Sequence, residues 1–181
     1  APANLSTTVE LSAPIENVND APAVSLVGWT QDEDEAALLA FSSSPAITDD
    51  DGAGGGAFEA HVTATTADAG AALQLLADAL DGAAAGATVA GNGTAALELG
   101  GTQAAVSAAL ERVRLYGGAD FFGTVSVAVT VSDGGYEGVG GALSTAATVS
   151  VTVAAVNDAP VIVASPLEHV VGEPVLIALA V

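Results

Sequence analysis

The sequence predicts an all-β chain folded as an antiparallel β-sandwich, and three observations lead there. First, two stretches alternate without a break: Val125, Val127, Val129 and Val131, then Val149, Val151 and Val153, each interleaved mostly with Ser and Thr. A strict period of two marks a strand with one face buried. Second, turns rich in Gly, Asn and Asp separate seven or more short apolar segments, the pattern of a sandwich. Third, a five-residue phrase occurs twice, as Val18-Asn19-Asp20-Ala21-Pro22 and as Val156-Asn157-Asp158-Ala159-Pro160, at an offset of 156 − 18 = 138 residues. Leu5-Ser6-Thr7 and Leu143-Ser144-Thr145 share that offset, so a repeat begins again within the chain. Residues 23–160 read as one complete period. Residues 1–22 read as the C-terminal strand and linker of a preceding repeat, and 161–181 as the first strands of a following one.

The elements follow in order. Residues 5–15 have strand-like composition, and the first phrase is a hinge: Asx side chains close local turns and proline pushes its predecessor out of the helical region. Ala23 to Thr30 is expected as a strand carrying Trp29, the one tryptophan. After the acidic run Asp32-Glu33-Asp34-Glu35, a second strand is expected from Ala36 to Phe41. Thr48 to Gly56 reads as a polar loop, and Phe58 to Thr66 as a strand by its alternation. Residues 68–81 suit a helix by propensity, but position in the repeat favours a short strand over Leu73 to Leu76. Ala87–Ala90 and Ala95–Leu99 flank Gly91-Asn92-Gly93 as a hairpin, in which Asn-Gly supplies positive φ. Thr102 then caps the one helix expected, 103–110, with Ala105, Val106, Ala109 and Leu110 on one face. The two valine strands come last, joined by the glycine-rich segment 134–141, and Phe121-Phe122 is expected to plug one end of the core.

Composition limits the function classes. The 181 residues hold 22 acids against two arginines and no lysine, a formal charge of −20. Nucleic acid and anionic membranes are excluded as partners, because both require clustered Lys or Arg. Divalent cations are the natural counterpart. Cysteine is absent, which removes disulfides, thiolate metal sites and thiol nucleophiles. No apolar run approaches the ~18 residues of a membrane span. His61 and His169 fall in different copies of the repeat without a nucleophile context, and the 52–56 loop lacks a phosphate-binding lysine. No catalytic residue is expected.

The order of the acidic opener at 32–35, the Asp-rich turn at 49–51, Gly91-Asn92-Gly93-Thr94, Leu110 to Tyr116, Phe122-Gly123-Thr124, Val131-Ser132-Asp133-Gly134-Gly135 and the closing phrase resembles the cadherin-like tandem repeats of large bacterial and algal surface proteins and adhesins. It is also similar to chondroitin-sulfate-proteoglycan-type repeats. The resemblance covers about residues 23–160. It implies an Ig-like or cadherin-like sandwich, tandemly repeated, extracellular or at the cell surface, with calcium held at the junctions. By position in that pattern the metal ligands would be Glu33, Asp49, Asp51, Asp133, Asn19, Asp20, Asn157 and Asp158. Asn17 and Ala155 stand where cadherins place a further Asp, so one ion per junction is the expectation.

The acids also admit a plainer reading, as solvated loop residues keeping the chain soluble. Asn4-Leu5-Ser6 and Asn92-Gly93-Thr94 are sequons, with Asn92 accessible at a hairpin tip. The function expected is therefore a non-enzymatic spacer in a long fibre or adhesin, whose partners are neighbouring copies of the same repeat. The alternative is a β-sandwich module that binds a glycan or protein through the 49–56 and 134–141 loops.

Overall fold

The computed structural model describes residues 8–51, 56–78, 80–135 and 138–161. The strands expected over 161–181, and Tyr136 and His169, lie outside these, Val161 excepted. Eleven strands and one α-helix follow in order: β1 (Ala23–Val24), β2 (Thr30–Asp32), β3 (Ala36–Leu38), β4 (Ile47–Thr48), β5 (Phe58–Thr66), β6 (Gln74–Ala77), β7 (Thr88–Ala90), β8 (Ala96–Gly101), α1 (Gln103–Leu110), β9 (Val113–Tyr116), β10 (Gly123–Ser132) and β11 (Ser144–Ala154). A 3-10 turn over Gly82–Gly86 precedes β7.

One sheet has six strands in the order β2-β11-β10-β5-β8-β7, and a second has three, β3-β9-β6. Strands β1 and β4 pair separately. Among the described residues every pairing between strands is antiparallel except one: β2 runs parallel to β11, with Thr30 opposite Thr152 and Asp32 opposite Ala154. The antiparallel expectation is corrected at this edge, where β2 lies beside β11.

Alternation does what it predicts. In β10, Val125, Val127, Val129 and Val131 are wholly buried, and in β5 so are Ala60 and Val62. They share a single core with Leu73 and with Leu75, Val113 and Leu115 of the smaller sheet. Helix α1 spans the predicted residues, capped by the Thr102 hydroxyl, which accepts from the Ala105 N–H at 3.3 Å. It buries Val106, Ala109 and Leu110 against that core, while Ser107 accepts the Ile47 N–H at 3.1 Å and fixes β4 to the helix. Phe121 plugs the core, whereas Phe122 is exposed.

Three expected spans differ. Ala23 to Thr30 splits into β1 and β2 at Gly28, where a Cβ would lie 2.9 Å from the Ser150 carbonyl oxygen. Only a residue without Cβ passes that close to β11, and the chain moves from one pairing to another there. The strand expected over Ala36 to Phe41 ends at Leu38, with Phe41 making a single bridge to Leu26. Residues 8–15, the described part of the stretch 5–15 with strand-like composition, are exposed and form no strand among the described residues.

Buried Gln31 ties the sheets together. Its side-chain amide donates to Glu35 O at 2.9 Å and to Leu115 O at 3.2 Å, and its oxygen accepts from Trp29 Nε1 at 2.9 Å. Among the described residues no helix is long and apolar enough to cross a membrane.

Candidate functional site

The phrase that occurs twice meets the sandwich at two places, one at each end of β11. The first copy is docked. Val18 forms a parallel bridge with Val139, the Val139 N–H donating to Asn17 O at 2.9 Å and the Asn19 N–H to Val139 O at 3.2 Å. Asn19 is only 6% exposed. Its side-chain amide donates to Asp133 Oδ2 at 2.8 Å and to Gly141 O at 2.9 Å. Gly138 makes the approach possible: its φ is +89°, and a Cβ there would lie 2.6 Å from the Asn19 nitrogen.

Asp133 is the centre of this seat and only 4% exposed. Oδ1 accepts the Gly135 N–H at 2.8 Å and the Leu143 N–H at 2.9 Å. Burial pushes its pKa up, but the bonds from Leu143, Asn19 and Gly135 outweigh burial together and hold it below the ordinary 3.8. The carboxylate therefore closes the root of the β10–β11 loop and grips the incoming phrase at once.

Beside it, the Asn17 side chain donates to Asp51 Oδ1 at 2.8 Å, and the Asp20 N–H to Asp51 Oδ2 at 2.8 Å. The Asp51 N–H donates to Asp49 Oδ1 at 2.9 Å. Five of the residues picked as metal ligands, Asn19, Asp20, Asp49, Asp51 and Asp133, thus gather at this end.

The other three lie where β11 ends. Glu33, 9% exposed, accepts the Val156 N–H on Oε1 at 2.5 Å, and its own N–H donates to Ala154 O at 2.9 Å. Asn157 and Asp158 are exposed beyond it. In its turn Asp34 adopts φ +61° and accepts the Asp120 N–H at 3.1 Å.

A calcium cage needs six to eight oxygens; the groups that meet Asp133 here are N–H donors. Among the described residues no three Asp, Glu or His converge on a metal position. The carboxylates of the seat are bridged by amides.

Asn92 sits on the exposed β7–β8 hairpin, but its side chain is turned onto β6, accepting the Ala77 N–H at 2.9 Å. Positive φ falls on Gly91 and Gly93 around it. Asn4 lies outside the described residues. His61 faces Glu98 across β5 and β8 at 3.5 Å, both half-exposed or more.

Sequence reading assigned Gln31 no role, and marked Asn17 only as the place of a missing Asp, not as the donor to Asp51. Gln31 has a signal, a lone amide following Trp29 where a strand reaches the acidic run. Compared with family models, with curated proteins and with solved structures, the chain gives no match in any of the three.

Proposed function

We propose that this chain is a spacer: one period of a tandem array of Ig-like or cadherin-like sandwiches in a long extracellular fibre or adhesin, without catalytic activity. One observation carries the reading. The first phrase enters at the seat beside Leu143, and the second leaves past Ala154, with the eleven residues of β11 between them. At about 3.3 Å per residue, entry and exit lie about 35 Å apart. A chain that enters one end of a domain and leaves the other, with the same five residues at both, is built to continue.

The N-terminal segment supports it. At the offset of 138 residues (156 − 18 = 138), Val9, Leu11, Ala13 and Ile15 correspond to Ala147, Val149, Val151 and Val153, the inward face of β11. Thr8, Glu10 and Ser12 correspond to its outward face. Yet Leu11 is 92% and Ile15 96% exposed. Apolar residues in strand register, fully in water, fit the last strand of a sandwich that lies upstream. Pro14 stands at the place of Thr152, so that copy lacks the bond which the Thr152 N–H makes to Trp29 O here.

Electron micrographs of the native protein test the reading. Beaded rods with a spacing of about 4 nm are expected; single compact particles would overturn it. Calcium enters this reading only between copies, where Asn157 and Asp158 are exposed. If it binds there, a chelator lowers the melting temperature of the native array and added calcium restores it. An unchanged melting temperature removes the ion.

A further inference from the structure

We propose that Val156–Pro160 is a two-sided joint, held at Val156 by Glu33 of its own period and seated through Asn157 on the Asp133 of the following copy. This rests on the tandem reading above. The two grips use different atoms of the same phrase. The exit uses the Val156 N–H, bound to Glu33 Oε1, and the Ala154 carbonyl, bound to the Glu33 N–H. The seat, seen on the first copy, uses the Asn17 carbonyl, the Asn19 N–H and the Asn19 side-chain amide. At the repeat offset these correspond to the Ala155 carbonyl, the Asn157 N–H and the Asn157 amide.

Nothing is claimed twice. In the bridge between Val18 and Val139 it is the neighbours of Val18 that make the bonds, and the Val18 N–H has no partner among the described residues. That is the one group the Glu33 of a preceding copy would take. Conversely, Asn157 is exposed here while its twin Asn19 is buried on Asp133. The geometry leaves no residue between the anchors Val156 and Asn157. Successive sandwiches are then clamped without a flexible linker. Ala155 replaces Asn17 and cannot make the side-chain bond to Asp51, so this joint depends more heavily on Asn157.

The test is a chain of two successive periods, residues 1–160 followed by a second 23–160, studied by 15N relaxation and amide exchange. Both sandwiches are expected to tumble as one elongated body. Asn157→Ala, which opens the seat, and Glu33→Ala in the first period, which opens the exit and leaves both seats intact, are each expected to let them tumble separately. Glu33→Ala should also speed Val156 amide exchange about tenfold, the loss of one hydrogen bond. Two folded sandwiches that tumble independently in the parent chain would overturn the joint and leave the array standing. Unchanged tumbling in both variants would overturn it equally. A second period that stays unfolded behind Pro160 would sink the array reading and the joint together.

Discussion

At the scale of single residues, the decisive group is Asp133. One buried carboxylate accepts two loop N–H groups and the amide of Asn19, so it couples the β10–β11 loop to a segment more than a hundred residues away. Asp133→Ala leaves those donors without their acceptor and is expected to cost about 2–3 kcal/mol in urea unfolding. The pH dependence has a definite sign. Because the folded pKa lies below the ordinary 3.8, the stabilisation is complete above about pH 4 and is lost as the pH falls through the lower, folded-state value. Asn19→Ala removes one of the bonds that depress the pKa. Acid melting curves should therefore show a smaller pH dependence in that variant than in the parent. The sequence pointed to Asp133 and Asn19 as ligands of an ion. It could not show them as partners of each other, since their contact depends on Gly138 bringing residues 17–19 alongside the loop.

At the scale of elements, what was legible was what local pattern decides. Helix α1 has its cap and apolar face written in nine consecutive residues, 102–110, and β5 and β10 in unbroken alternation. What was not legible depends on a distant neighbour. The break at Gly28 exists because β11 passes within contact distance. The parallel pairing of β2 with β11 likewise joins residues far apart in sequence. Gln31 belongs to this scale because it binds β2 to Leu115 on the opposite sheet and to the acidic turn. Gln31→Leu keeps the volume and removes every bond this side chain makes to Trp29, Glu35 and Leu115. It is expected to lower stability by about 2 kcal/mol, measured by thermal unfolding. Replacing Glu98 on the outer face of the same sheet, where it pairs with His61 at the surface, is expected to stay within about 0.5 kcal/mol.

At the scale of the whole molecule, in the array proposed above, the charge of −20 would keep neighbouring fibres apart while the repeated phrase joins neighbouring domains. In that array the load would run along β11: force applied through the first phrase would reach Asp133 and Asn19, and force through the second would reach Glu33. Shearing the long β10–β11 ladder, paired from Gly123 opposite Val153 to Ser132 opposite Ser144, breaks many bonds at once. That arrangement suits a spacer under tension. The most direct measurement is single-molecule stretching of the native protein. A tandem spacer predicts a series of unfolding events with equal contour-length gains of about 45 nm, one for each 138-residue period (156 − 18 = 138) drawn out at about 3.4 Å per residue. A single event, or gains with no common length, would contradict it.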